Sequence, residues 1–265
     1  MEHKFYFLGG MPRSGSTLLC NVLAQNTRFY ATHTSGCMDV CFSVRNQWGN
    51  RIEHKAHPND PALQRVLQGI LQSYYADIAE PVIIDKCRGW VSLIEMTEFA
   101  LGEPIKILVP VRDVRDILTS FEKLWRENAK AGQISGEQQN YFDFQTVAGR
   151  IAFWSRKDQP VGLAYNRIQD AIARGFRDRM HFVHFEELTA APNDTMKKIY
   201  RFLGEEPFPH NFEHVRQVTT EDDSVHGFKN LHKIRSQIRS QPSQWPEILG
   251  KTADKYATAS FWRSL

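Results

Sequence analysis

Residues 5 to 20, FYFLGGMPRSGSTLLC, constrain this chain more than any other stretch: an apolar run stops at two glycines, becomes a polar loop and restarts as a helix. Phe5 to Leu8 suit a buried strand, Gly9 and Gly10 end it, and Pro12 fixes a turn. Gly15-Ser16-Thr17 then opens a segment, Leu18 to Ala24, of good helix formers. A strand, a glycine loop and a helix N-terminus aim backbone N–H groups and the positive end of the helix dipole at an anion. The spacing Gly10-x-x-x-x-Gly15-Ser16-Thr17 follows the nucleotide-binding GxxxxGK loop with Ser16 where its lysine stands. The cradle is kept and the lysine that reaches a β- or γ-phosphate is missing. Arg13, inside the loop, offers a planar, permanently charged fork instead. Taken alone, the same residues also describe a plain Gly/Ser turn.

Strands and helices alternate along the rest of the chain. Arg28 to Thr34 reads as extended, and Met38 to Trp48 as a helix starting near Ser35 with Met38, Val40, Cys41, Val44 and Trp48 on its inner faces. A polar segment with His54, His57, Pro58 and Pro61 reads as an exposed connection, and Ala62 to Ala79 as an amphipathic helix with Leu63, Val66, Leu67, Ile70, Leu71 and Tyr74 inward. Val82-Ile83-Ile84 is a second apolar strand that changes polarity at Asp85-Lys86. A helix near Val91 to Leu101 leads to a strand from Ile105 to Val111, which ends at Arg112-Asp113. Asp113 is a candidate N-cap for a helix whose stripe is Val114, Ile117, Leu118, Phe121 and Trp125. The polar stretch Glu127 to Asn140 interrupts the pattern as a candidate lid.

Two further stripes, Phe144 to Ala152 and Val161 to Ile172, precede the alternating strand Met180 to Phe185 and a helix that starts at Pro192 and stops at Gly204. From Pro207 periodicity fades, apart from Leu231 to Ile238 and the segment after Trp245. The pattern predicts an α/β, three-layer fold of the P-loop type, a central parallel sheet flanked by helices, formed as one domain over residues 1–265 that includes the tail from about 207.

Composition narrows the function. Lys+Arg 33 against Asp+Glu 30 leaves no broad basic field, so neither nucleic acid nor a membrane surface is an expected partner. Cys20, Cys37, Cys41 and Cys87 have no CxxC spacing, and disulfides and structural zinc are not expected. The apolar run before Arg13 is too short for a signal-peptide core, and the expected location is the cytoplasm.

Arg13, Lys86 and Arg112 all stand at strand-to-helix transitions, which a parallel sheet gathers at one edge. A lone arginine at such a point is usually a surface charge; three basic groups around a glycine cradle describe a polyanion site.

Met11-Pro12-Arg13-Ser14-Gly15-Ser16-Thr17-Leu18-Leu19 resembles the 5′-phosphosulfate loop of the sulfotransferases, which use 3′-phosphoadenosine 5′-phosphosulfate (PAPS). The arginine in the loop is closer to the tyrosylprotein and bacterial branches than to the cytosolic enzymes. Arg112-Asp113-Val114-Arg115-Asp116-Ile117-Leu118-Thr119-Ser120 resembles the family's 3′-phosphate motif, an arginine followed eight residues later by a serine. Asp85-Lys86 resembles the strand-end lysine that assists departure of the phosphate, and Phe185-Glu186-Glu187-Leu188 the element whose aromatic lies near the adenine.

The resemblance therefore implies a nucleotide held by Arg13, Ser14, Gly15, Ser16, Thr17, Leu18, Arg112, Ser120 and Phe185, with a tail cation, Lys229, Lys233 or Arg235, over the 3′-phosphate. It implies transfer of a sulfuryl group to a hydroxyl or amine of a small-molecule or saccharide acceptor, with no metal. The cytosolic branch places a histidine base where this chain has Arg88, so the base is sought in the segment after the first helix, at His33 or Asp39. Two other readings stay open: a P-loop kinase using ATP and Mg²⁺, and a nucleotide-binding protein of the same fold without catalysis.

Overall fold

The computed structural model describes residues 2–131 and 141–264. Strands β1 (Lys4–Leu8), β2 (Phe29–Thr34), β3 (Val82–Lys86), β4 (Ile107–Val111) and β5 (Met180–His184) form a parallel sheet in the order β2-β3-β1-β4-β5. β1 lies between β3 and β4, and the winding reverses across it. Open parallel sheets bind ligands outside the carboxyl ends of the strands at such a reversal.

The helices are α1 (Ser16–Leu23), α2 (Cys37–Asn50), α3 (Ile52–Ala56), α4 (Asp60–Tyr74), α5 (Ile94–Leu101), α6 (Val114–Lys130), α7 (Tyr141–Phe144), α8 (Val147–Trp154), α9 (Pro160–Ala173), α10 (Phe185–Ala190), α11 (Pro192–Leu203) and α12 (Trp245–Ile248). Successive side chains of a strand point to opposite faces. Accordingly Tyr6 and Leu8 join a core with Leu19 and Leu23 of α1 and Ile199 and Leu203 of α11, whereas Phe5 and Phe7 join one with Cys41 of α2, Leu67 of α4, Phe121 of α6 and Ile168 of α9. The sheet is thus covered on both faces, as the alternation of strands and helices predicts.

Several expected boundaries move, and buried polar anchors account for most of the changes. Asp85 and Lys86 lie inside β3 rather than beyond it, both buried. Asp85 accepts hydrogen bonds from Trp90 Nε1 at 2.8 Å, Tyr75 OH at 2.5 Å and Ser35 Oγ at 2.9 Å. The Tyr75 bond draws that ring inward and α4 stops at Tyr74, five residues short of Ala79. The Trp90 bond holds a 3-10 turn, Arg88–Ser92, so the helix expected from Val91 begins only at Ile94. β5 ends at His184 and Phe185 already opens α10. The stripes of α2 and α4 are narrower than their periodicity suggests, with Val40 and Tyr74 exposed. Within the polar connection a short α3 forms, and the rings of Trp48 and His54 stack at 3.9 Å.

Residues 231–238 form no helix. They run beside residues 212–217, with Val215 N–H donating to Ser236 O and Ile238 N–H to Phe212 O. α6 continues through Lys130, so the first part of the expected lid is helical; residues 132–140 lie outside the described residues. No helix among the described residues is long and apolar enough to cross a membrane.

Candidate active site

The cradle follows from how tightly the loop after β1 lies on β4. Gly9 N–H donates to Leu108 O at 3.0 Å and Met11 N–H to Pro110 O at 2.9 Å. A Cβ on Gly10 would fall 2.3 Å from Pro110 O, so only glycine passes there. Ser14 Oγ is buried and donates to the carbonyls of Met11 and Pro110, a structural bond rather than one directed at a ligand. Arg13 adopts φ 56° and Gly15 φ 86°. Left-handed backbone at a non-glycine costs about 1–2 kcal/mol, and here it turns the Arg13 side chain into the site. Gly15 caps α1 without any side-chain acceptor, and among the described residues the N–H groups from Gly15 to Leu18 meet none. An uncapped helix N-terminus of this kind favours a bound anion.

Arg13, Arg112, Ser120 and Phe185 come together beside it. Arg13 Nε donates to Ser120 Oγ at 3.0 Å, and Arg112 Nη1 to the Arg13 carbonyl at 3.4 Å. The Arg112 guanidinium lies 4.5 Å above the Phe185 ring, whose edge would meet a Cβ on Gly15 at 2.7 Å. Among the described residues no carboxylate is within ion-pair distance of either guanidinium. Burial, then the neighbouring Arg112, pull Arg13 below its ordinary range, with Asp223 and Glu127 opposing. Burial likewise lowers Arg112. Two guanidiniums side by side without a counter-ion make a ready-made anion site.

The alternation of β3 divides its two charged residues between the faces. Asp85 faces the Trp90 core, where burial pushes its carboxyl up against the three donors already named. Lys86 faces α1, and its Nζ lies 3.3 Å from Thr17 Oγ1 and 3.0 Å from Glu221 Oε1. Glu221 Oε1 also accepts from Thr34 N–H at 3.2 Å and Thr34 Oγ1 at 3.1 Å. Burial pushes Glu221 up, but Lys86 and Thr34 outweigh it and hold the carboxyl at about 2.

Glu221 belongs to the tail, which returns across the carboxyl edge of the sheet. Buried Asn21 of α1 seats it: Asn21 Oδ1 accepts from Val218 N–H at 2.5 Å and Thr219 N–H at 3.1 Å, and Nδ2 donates to Thr219 Oγ1 at 2.7 Å. Beyond Glu221, His232 Nδ1 lies 2.5 Å from Asp223 Oδ1 and 3.6 Å from Glu221 Oε2, and the His226 ring stands edge-on to it. Further on, the Leu231 carbonyl accepts from Arg13 Nη1.

Of the two residues sought as a base, His33 stands near the carboxyl end of β2 between Thr32, whose Oγ1 accepts from Lys86 N–H, and Thr34, which donates to Glu221, while Asp39 lies in the first turn of α2. His33 and Asp39 are exposed, and neither side chain forms a hydrogen bond or ion pair among the described residues. Lys229, Lys233 and Arg235 lie exposed on the tail segment that crosses the edge, with no side-chain partner among the described residues. Sequence reasoning missed Asn21, Glu221, Asp223, His226 and His232; the available signal was an acidic run, Glu221-Asp222-Asp223, followed by two histidines. Glu221, His226 and His232 place potential ligand atoms within 4.8 Å of one another, a spacing a divalent cation could bridge. The Lys86 ammonium already supplies the cation at that carboxylate.

A family model described as a sulfotransferase family matches residues 6–210. No curated protein matches the sequence. Among solved structures, a sulfotransferase from Mycobacterium avium aligns over 100% of this chain and 77% of its own at 13% identity and a TM-score of 0.55. The sulfotransferase domain from the curacin biosynthetic pathway aligns over 98% and 92% at 18% identity and 0.52. A retinol dehydratase in complex with androsterone and the inactive cofactor PAP aligns over 97% and 80% at 14% identity and 0.50. At these identities the structures are evidence of a common fold.

Proposed function

This chain belongs to the sulfotransferase family, and from that premise we propose that it transfers the sulfuryl group of PAPS to a hydroxyl or amine of a small-molecule or saccharide acceptor, releasing 3′-phosphoadenosine 5′-phosphate (PAP). The observation that carries the reading is the pair Arg13 and Arg112, adjacent to an uncapped helix N-terminus and without a carboxylate partner among the described residues. A nucleotide phosphorylated at both ends of its ribose suits two guanidiniums on neighbouring strand ends.

In this reading the N–H groups from Ser14 to Leu18 and the Arg13 fork hold the 5′-phosphosulfate, and Lys86 stabilises charge gathering on the departing phosphate. Arg112 and Ser120 hold the 3′-phosphate, and Phe185 lies against the nucleotide. Lys229, Lys233 or Arg235 adds a cation over the same phosphate when the tail closes. In-line sulfuryl transfer resembles phosphoryl transfer in resting on positioning and charge stabilisation. Arg13 releases the Leu231 carbonyl and Lys86 exchanges part of its Glu221 contact as the anion enters. The uncharged alcohol of a compound such as androsterone, bound by the structurally similar retinol dehydratase, illustrates the acceptor class proposed.

Calorimetry tests the nucleotide. PAP should bind without a metal, and tighter than ATP with Mg²⁺; preferential binding of Mg-ATP would support the kinase reading and overturn this one. A chain that binds PAP but consumes no PAPS with any of a broad set of alcohols and amines would be a binding protein of this fold.

A further inference from the structure

The acceptor hydroxyl must lose a proton as its oxygen meets sulfur, and the exposed His33 and Asp39 side chains form no hydrogen bond or ion pair among the described residues. The tail supplies a better group. His232 is half-buried, and its ring is fixed on one side: Nδ1 lies 2.5 Å from Asp223 Oδ1, and Asp223 Oδ2 also accepts the His232 backbone N–H at 3.0 Å. A carboxylate on Nδ1 selects the tautomer protonated there and leaves Nε2 as the basic nitrogen. Among the described residues Nε2 has no hydrogen-bond partner.

The ring stands close to the lysine assigned to the leaving phosphate. His232 reaches Lys86 through a single carboxylate: Nδ1 is 3.6 Å from Glu221 Oε2, and Glu221 Oε1 is 3.0 Å from Lys86 Nζ. A lysine in contact with the leaving oxygen and a base in contact with the acceptor oxygen must stand on either side of the transferred group, a few ångströms apart, since each hydrogen bond spans about 2.6–3.2 Å. The groups facing His232 are Lys86, Glu221, Asp223 and His226. Glu221 is committed to Lys86 and Thr34, which leaves the imidazole as the proton acceptor of the cluster.

Resting on the sulfotransfer reading above, we propose that His232, oriented by Asp223, is the general base that deprotonates the acceptor, with Glu221 positioning Lys86 opposite it. The acceptor oxygen forms the new O–S bond as the bond from sulfur to the bridging oxygen breaks. The electron pair of the broken bond stays on the 5′-phosphate of PAP, and the acceptor proton moves to His232 Nε2 and then to solvent.

The test uses the full chain, with PAPS turnover read as PAP release in the presence of phenols, sterols and primary alcohols and with water alone, beside calorimetric PAP affinity. His232→Ala should lose about 100-fold or more in turnover. Its PAP affinity should stay within about threefold of the parent, a change under 1 kcal/mol. Added imidazole should restore part of the lost turnover, and Asp223→Asn should lower turnover in the same direction. In the PAP complex, ¹⁵N spectra should show His232 protonated on Nδ1 and bare at Nε2. The opposite tautomer would overturn the proposal even if no alcohol were accepted, as would unchanged turnover in His232→Ala or a parallel loss of PAP affinity. Loss of activity in chelator, restored by zinc, would overturn it too, by making Glu221, His226 and His232 metal ligands. If the unaltered chain does not bind PAP, the parent reading fails and this one with it, and the calorimetric arm identifies that case.

Discussion

Asp85 and Lys86 are adjacent in β3 and face opposite sides of the sheet, which gives two charged residues different work. Asp85, buried under three donors, is an anchor for Ser35, Tyr75 and Trp90, while Lys86 alone faces the site. This division argues for separable effects among the basic residues. Arg112→Ala should weaken PAP binding by roughly 10- to 100-fold, the worth of one or two charge-assisted hydrogen bonds, with turnover at saturation little changed. Lys86→Ala should leave PAP affinity within several-fold and lower turnover by about 100-fold or more. Calorimetry and saturation kinetics on the two variants separate these outcomes, and equal losses in both quantities would contradict the division. Arg13, Lys86, Arg112 and Ser120 were legible because each stands in a short contiguous pattern at a strand end or about two helical turns beyond it. The tail groups around Lys86 were not legible, because Glu221, which pairs with it, stands 135 residues further on in a stretch without strong periodicity.

α6 shows how one element ties the nucleotide edge to the C-terminal segment. Its N-cap, Asp113, accepts from Arg115 N–H at 2.8 Å, pairs with Arg115 Nη2 at 2.8 Å and with Arg263 Nη2 at 3.1 Å, and immediately follows Arg112. Burial pushes the Asp113 carboxyl up, but the Arg115 bonds and the Arg263 charge outweigh it and hold it below the usual carboxylate range. Asn caps a helix about as well as Asp, so Asp113→Asn removes the charge and keeps the cap. The variant should lose about 1–2 kcal/mol at neutral pH. Because the folded carboxyl is depressed, its contribution is complete above the unfolded value of 3.8 and disappears as pH falls through the lower folded value. Urea midpoints of the two proteins should therefore differ at pH 7 and converge below about 3.8; a gap constant across that window would rule out the ionised carboxylate as its source. Elements whose signals are local, such as α6 with its cap and α11 between Pro192 and Gly204, were readable from the chain. The end of α4 and the 3-10 turn at Arg88–Ser92 were not, because Asp85, from another element, sets both.

Across the whole molecule, the site is finished by a segment that sequence periodicity could not place. The parallel, doubly covered sheet was legible, since alternating apolar runs and helical stripes leave few other solutions; the path of the tail was not, because it is set by single polar contacts between distant residues. Asn21 is the chief of these, holding Val218 and Thr219 against α1. Asn21→Ala should raise amide exchange in residues 215–232 by roughly ten-fold or more, equivalent to about 1.5 kcal/mol of local stability, while exchange in the strands stays as in the parent. Uniform acceleration throughout would show Asn21 to be a general core residue instead. The tail contact carries a further consequence in time. Arg13 and Leu231, which meet in the folded chain, are 218 residues apart. At a synthesis rate of about 5–20 residues per second, roughly 10–40 s separate their emergence from a ribosome. In the later part of that interval, once β4 has emerged to seat the loop, the nascent cradle presents Arg13 and Lys86 without the tail groups that later cover them, so a dissolved polyanion has access to the half-made protein before its own last quarter does.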